Sequence, residues 1–400
     1  MITGDNNGPS PIPRRLRIAQ VVTLISPDGA FGGPLRVAEN QSEALRDAGH
    51  HVEIFAGYRG FSNPPTNLKS VPIRAFPVKN IVPGSGFAGT FSPKLLKELR
   101  ARISEFDVVH VHMARDFVTL PAARIVALSK VPLVIQTHGM IDQSRHPLAV
   151  PLDLILTRPV LRAASVAFYL TAREEADLRS VSRSSMNLVP LANGVPYSHL
   201  RPDADRQSVL FLARLHPRKR PLEFVKAAIR LAGKYPDADF CLVGPDEGEE
   251  SSIRAAIASA RLEDRIRLEG ALAPERTLDR MSRSSIYVLP SLDEPFPMTV
   301  LEAMSIGLPA IVTDSCGLAV PLSENGAGVV VGSSSESLVN AIDGLLGNTH
   351  MRDRVSKNAK RLVRDQFSMQ KIAADLEAGY RSAIAHPRRR NRSSDDLDLS

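Results

Sequence analysis

Glu294 and Glu302 stand eight residues apart in the stretch EPFPMTVLEAMSIGLP, residues 294–309. Upstream, Ile286, Tyr287, Val288 and Leu289 form a short apolar, β-rich run that suits a buried strand. Pro297 fits a first helical position, where its missing N–H costs nothing, and Gly307 and Pro309 end the helix about three turns later. Ala310, Ile311, Val312 and Thr313 then read as the next strand, so the stretch is one strand–helix–strand unit of a parallel sheet. Glu294 falls in the loop at the carboxyl end of its strand and Glu302 just past the first helical turn. That edge is where open parallel sheets hold ligands. The free N–H groups of the helix start, near Met298 and Thr299, favour phosphate. An acid on each side of a phosphate cradle can accept hydrogen bonds from hydroxyls at the two ends of a diphosphate, as in a sugar nucleotide. By spacing alone, the pair also fits a solvated helix acid beside a loop acid.

The elements needed to position such residues recur along the chain. Strand-like runs at 17–25, 51–57, 107–113, 131–138, 165–172 and 187–194 alternate with helical segments. A second series follows at 208–215, 237–244, 265–272, 286–292 and 309–315. Both patterns imply doubly wound parallel sheets, an α/β fold. The polar, proline-bearing gap at 197–207 reads as a linker. After the second series, Met369, Ile372, Leu376, Tyr380 and Ala383 recur at three- and four-residue spacing, a helix with one buried stripe free to pack back on the first domain.

The chain has 400 residues with 43% hydrophobic content, enough for two cores. Cys241 and Cys316 provide neither a disulfide framework nor a metal cluster, and a reducing cytosol fits best. The stretch MITGDNNGPSPIPRR lacks the apolar core of a signal peptide, and no run reaches the roughly 18 apolar residues of a spanning helix. The expected location is therefore cytoplasmic. A formal charge of +7 suggests an acidic partner, nucleic acid or an anionic membrane surface. Aromatics make up only 5%, Trp is absent, and no helix-turn-helix or zinc-finger pattern appears, which argues against nucleic acid. At 93–103, Leu95, Leu96, Leu99 and Ile103 lie on one helical side with Lys94, Lys97, Arg100 and Arg102 around the other. That helix fits either a membrane surface or an ordinary solvated domain face.

Taken together, these motifs resemble the retaining family 4 glycosyltransferases of GT-B fold, the glycosyl transferases group 1. Besides EPFPMTVLEAMSIGLP, the second half contains FLARLHPRKRP at 211–221, similar to the family's Gly-Arg-Leu…Lys-Gly signature, and CLVGPDEG at 241–248, similar to its glycine turn. The first half adds FGGPLRVAENQSEALRDAGHHVEIFAG, THGM and LANGV in the expected order, so the likeness spans roughly residues 16–385. Pro295, Ala213 and Arg220 stand where glycine is usual in the family, and Met369 where tryptophan is common.

The resemblance implies two Rossmann-like domains facing across a cleft. The first, acceptor domain would occupy residues 16–200 and the donor-nucleotide domain 201–367. The helix at 368–386 would return to the first domain, with disordered ends at 1–15 and 387–400. By carry-over, Glu302 would hold the ribose hydroxyls and Glu294 those of the donor sugar, with Phe296, Pro297, Met298 and Thr299 around the nucleotide. Arg214 and Lys219 are two cations a few residues apart, suited to neutralising a departing diphosphate. In the first half, Phe31, Gly32 and Gly33 follow a strand and precede a helix, and the two glycines let backbone approach a ligand across the cleft. Their spacing is not the dinucleotide G-x-G-x-x-G, which weakens an oxidoreductase reading. His138, at a strand end before Gly139, would meet the donor sugar or diphosphate, while His110 and His112 read as packing or cleft-wall residues. Asn193 and Gly194 read as a loop near the hinge.

The expected activity is thus a retaining transfer from a nucleotide diphosphate sugar to an acceptor hydroxyl, with no cofactor and no metal. The acceptor would be a glycan or lipid-linked glycan of a cell-surface polysaccharide, lipopolysaccharide or glycolipid, reached from the inner face of a membrane. A sugar-nucleotide epimerase of related fold and a sugar-nucleotide-binding protein without catalysis are the alternatives.

Overall fold

A computed structural model describes residues 14–27, 32–82, 86–144, 149–203 and 207–388. Phe31, the N-terminal residues to 13 and the tail from 389 lie outside the described residues. By contact density the chain forms two compact units. One comprises the chain up to Phe168, Asp177–Val189 and the segment from Glu377 on; the other comprises Tyr169–Ala176 and Pro190–Leu376.

The first unit is built on an eight-stranded sheet. Its spatial order is Leu188–Pro190, Val166–Tyr169, Leu133–Gln136, Val108–His112, Arg17–Ile25, His51–Tyr58, Val71–Pro77 and Asn67–Leu68. The pairings from Val166–Tyr169 through Val71–Pro77 are parallel. Strand order reverses between Arg17–Ile25 and Val108–His112, which makes the carboxyl ends of these two neighbours the switch point. Val108–His112 is buried along its whole length, as a central parallel strand covered on both faces must be. The periodicity at the chain's end resolves into the helix Met369–Ala385, whose second half belongs to this unit. There Tyr380 is buried with its hydroxyl 2.8 Å from His110 Nδ1. Gly379 packs so tightly that an added Cβ would lie 2.4 Å from Phe168 Cζ.

In the helix Pro93–Arg102, Leu95 and Leu99 are buried and Arg102 pairs with Glu53 (2.7 Å) and Glu105 (2.8 Å). Its apolar stripe is spent on the unit's own core, which leaves a cationic outer face.

The second unit carries a six-stranded sheet ordered Ile266–Leu268, Asp239–Val243, Ser208–Leu212, Ile286–Leu289, Ala310–Thr313 and Val329–Val331, parallel throughout. Its switch point lies between Ser208–Leu212 and Ile286–Leu289. The helix Pro221–Ala232 covers one face, where Phe224 packs against Phe211 and Phe240 with ring centroids 5.8 and 6.4 Å apart. Each such ring stabilises the fold by roughly 1.5–3 kcal/mol through burial. Met298–Ile306 covers the other face; its polar members are Thr299, Glu302 and Ser305, and Val300, Leu301, Ala303, Met304 and Ile306 are buried. Gly307, at φ +81°, ends it in the left-handed conformation that glycine adopts without strain. Pro297 differs by one position from the sequence expectation: its ψ of 111° is extended, so it is the N-cap residue and Met298 begins the helix.

Among the described residues, no helix is long and apolar enough to cross a membrane.

Candidate functional site

The site residues of the second unit gather at the carboxyl edge of its switch point. Ser208–Leu212 leads into a loop and a short turn, Pro217–Lys219, and Ile286–Leu289 leads into the loop that carries Glu294. The Leu292 N–H donates to the Arg218 carbonyl at 3.0 Å and binds the two loops together. Lys219 Nζ donates to Glu294 Oε2 in a close ion pair, both side chains largely shielded from solvent, with Arg218 3.8 Å from the same oxygen. On its other side the Glu294 carbonyl accepts from the Gly317 N–H at 2.8 Å, and an added Cβ on Gly317 would lie 1.6 Å from the Pro295 carbonyl oxygen. The loop that holds Glu294 can therefore run where it does only because residue 317 lacks a side chain.

Arg220, which follows Lys219, sits at φ 57° and ψ 45°, the left-handed region where glycine is the default. The departure from the resembled motif is thus met by a strained backbone, with the guanidinium bonded to the Ser333 carbonyl at 2.8 Å.

Glu302 is buried on the helix one turn and a half beyond Pro297. Tyr287, which sequence reasoning passed over as a strand residue, lies beneath the site: its hydroxyl is 2.8 Å from Thr299 Oγ1 and donates to the Leu212 carbonyl at 3.1 Å. It thereby ties the helix start to the first strand. Burial, and then the carboxylates of Glu302 and Glu294, push its phenol well above the ordinary range. Burial likewise drives the Cys316 thiol up to about 11, with Glu294 raising and Lys219 lowering it. Both effects show that the two acids and the lysine share one small region.

Two expected members are placed differently. Arg214 is exposed and bonds both oxygens of Glu247, at 2.7 and 2.8 Å. Glu247 stands on the glycine turn, where Gly244 passes so close that an added Cβ would be 2.0 Å from the Ala213 carbonyl oxygen. Phe296 packs its ring on Phe367, centroids 6.0 Å apart, so its side chain serves the core. Asn193 and Gly194 lie in a loop, as expected, and are buried. An added Cβ on Gly194 would lie 2.6 Å from Ile372 Cγ1 and 2.8 Å from Met369 Sδ.

The first unit holds Gly32, Gly33 and His138. Gly33 opens the helix Gly32–Asp47 at ordinary φ, and a Cβ there would meet nothing within 4 Å. Neither turn geometry nor crowding among the described residues demands glycine at this position. His138 follows the strand Leu133–Gln136 in the left-handed conformation, φ 52°. His110 and His112 are more than wall residues. His112 Nε2 is 2.8 Å from Gln20 Oε1, and His112 Nδ1 is 2.8 Å from His138 Nε2. The His112 and His138 rings stack at 5.1 Å, and those of His110 and His112 at 4.6 Å. Burial drives His110 and His138 down to about 3 and His112 well below the ordinary imidazole range, so all three are neutral. With the amide oxygen of Gln20 towards His112, Nε2 of His112 carries the proton and its Nδ1 accepts from His138 Nε2–H. His138 Nδ1 is left as an acceptor. Among the described residues, no group of three or more His, Cys, Asp or Glu side chains converges as a metal site.

Two parallel, doubly wound units, one of them with a lysine, two acids and an open helix start at its switch point, define the class of GT-B glycosyltransferases. Comparison with known proteins agrees. Residues 32–194 match the glycosyl transferase 4-like domain and residues 199–362 the glycosyl transferases group 1. The chain belongs to this family and is a glycosyltransferase. It is 24% identical to the alpha-D-kanosaminyltransferase of Streptomyces kanamyceticus over 72% of this chain and 79% of that protein. It is 25% identical to the GDP-mannose:cellobiosyl-diphosphopolyprenol alpha-mannosyltransferase of Xanthomonas oryzae, over 79% of this chain and 83% of that one. Among solved structures, Anabaena HepE in complex with UDP and glucose superposes with a TM-score of 0.70 at 19% identity, covering 91% of this chain and 99% of that one.

Proposed function

We propose that the protein transfers a sugar from a nucleotide diphosphate sugar to an acceptor hydroxyl with retention of anomeric configuration, using neither cofactor nor divalent metal. The observation that carries this reading is the Lys219–Glu294 pair at the sheet switch point, beside a helix start and a buried Glu302. An ammonium, an adjacent carboxylate, free N–H groups and a second carboxylate match, in that order of chemistry, a diphosphate flanked by two hydroxyl-bearing sugars. Lys219 and the N–H groups of Met298 and Thr299 offset the charge that grows on the leaving diphosphate, and Arg214 joins them by exchanging Glu247 for phosphate. Glu302 accepts from the ribose hydroxyls and Glu294 from those of the donor sugar. Attack comes from the face the diphosphate leaves, and a departing phosphate oxygen takes the acceptor proton, so no side-chain nucleophile is needed. His138 offers Nδ1 as an acceptor to a donor hydroxyl, and the bare backbone at Gly32 and Gly33 admits the ligand closely.

The acceptor proposed is a glycan or lipid-linked glycan. The Xanthomonas relative, by its name, uses a diphosphopolyprenol-linked acceptor. An exposed strip of Val150, Leu154 and Ile155, at 56%, 55% and 71% exposure and at helical spacing, supports peripheral contact with an anionic membrane at its cytoplasmic face better than the helix at 93–103 does. No nucleic acid partner is proposed.

The test is incubation with a panel of nucleotide sugars and lipid-linked acceptors in excess EDTA, with the anomeric configuration of the product read by NMR. Retained configuration in EDTA is expected. Inverted product, or loss of transfer restored by Mg²⁺ or Mn²⁺, refutes the corresponding part.

A further inference from the structure

The transfer makes no use of a cavity of about 890 Å³ elsewhere on the second unit. It lies among residues 195–201, the helix Thr349–Leu362 and the turn leading into the last helix, and its size is that of a small-molecule site. Arg201, Lys357, Lys360, Arg361 and Arg364 line it, and no carboxylate does. Arg364 is paired with Asp365 at 2.8 Å and Arg361 donates to Asn358 at 3.1 Å. For Arg201, Lys357 and Lys360, no acid lies within ion-pair reach among the described residues.

Lys360 is not a free surface lysine. Its stem packs across Gly307, where an added Cβ would lie 2.4 Å from Lys360 Cε, at the end of the helix Met298–Ile306. Burial first, and then Arg201 beside it, lower its pKa. Like charges held together and partly stripped of water are unfavourable unless an anion joins them. At the rim, Tyr197 and Leu200, 77% and 40% exposed, offer apolar surface beside the cations.

We propose that this cavity is a second anion site, taking a diphosphate or two neighbouring phosphate groups, separate from the transfer site and independent of the reading given to it. The phosphate belongs either to a free soluble ligand or to a lipid headgroup, and the apolar rim faces whatever carries it.

Calorimetric titration of inorganic pyrophosphate into Lys219→Ala protein reads the cavity with the transfer site weakened. Binding should persist there and fall about tenfold or more, about 1.4 kcal/mol, when Arg201→Ser and Lys360→Met are added, since each removes a charge-assisted contact to phosphate. Methionine keeps the stem over Gly307. Lys357→Glu, an exposed change, serves as the second variant should the pair disturb folding, and should weaken binding similarly. Flotation with phosphatidylglycerol against phosphatidylcholine vesicles separates the sources. Flotation that is lost in the variants without free pyrophosphate binding assigns the headgroup, and pyrophosphate binding without such flotation assigns a soluble ligand. Binding in neither arm, or binding that the substitutions leave unchanged, overturns the proposal. Transfer by Arg201→Ser/Lys360→Met at saturating donor should stay near wild type, which separates this site from the reaction.

Discussion

Lys219 is held closely against Glu294, with Arg218 3.8 Å from the same oxygen, whereas Arg214 is exposed and already bonded to Glu247. Replacing either with Ala should cut turnover by about 100-fold or more, the scale of a lost charge contact in a transition state. Wild-type turnover in both variants refutes their role. The two acids should fail differently. Glu302→Ala should weaken binding of the bare nucleotide diphosphate, because ribose contacts change little along the reaction. Glu294→Gln should bind that nucleotide almost like wild type and chiefly lose kcat; equal loss of nucleotide affinity in both would break the assignment. Arg220 allows a test of strain. Gly and Ala both remove its bond to Ser333, but only Gly fits φ 57° freely, so Arg220→Gly should be more stable than Arg220→Ala by about 1 kcal/mol in denaturant unfolding. Equal stability would mean that the backbone relaxes at no cost.

Among the elements, the loop from Pro290 to Pro297 matters most, because it converts a strand end into a placed carboxylate. Gly317 is its outer wall, and Gly317→Ala must push Pro295 away. The variant should lose about 1–3 kcal/mol of stability by overpacking and lower kcat further than global unfolding explains. An unchanged kcat in folded protein would show that Glu294 does not need this loop path. The strand pair Arg17–Ile25 and Val108–His112 offers a second test. Gln20→Leu removes the acceptor that sets the tautomer of His112, and through it that of His138. In ¹⁵N NMR, the His138 Nδ1 signal should move from that of a bare nitrogen towards an exchanging mixture, with kcat lowered. An unchanged spectrum would show that the relay does not fix the tautomer.

For the molecule as a whole, the three buried neutral histidines couple folding to pH. Their folded pKa values lie below the unfolded value of about 6.5, so the unfolded chain binds more protons in acid. Stability is therefore intact above about pH 6.5 and lost progressively as pH falls below it, each histidine adding to the loss. Thermal melting at pH 7.5 and pH 5 should show the loss, and His110→Gln should lessen it; a pH-independent midpoint would contradict it. The sequence was enough for most central strands, the last helix, the switch-point helix and the family, because these rest on local periodicity, capping residues and motif order. It missed Val71–Pro77, whose prolines at 72 and 77 mask a strand, and the short edge strand Val329–Val331. It also could not say which groups meet. Lys219 finds Glu294 across 75 residues, Arg214 turns to Glu247 33 residues on, and His112 joins Gln20 to His138. Periodicity reports which way a side chain faces within its own element. Which charges are neutralised and which nitrogen keeps its proton depends on how loops from distant strands pack at one sheet edge, and only the tertiary structure decided that.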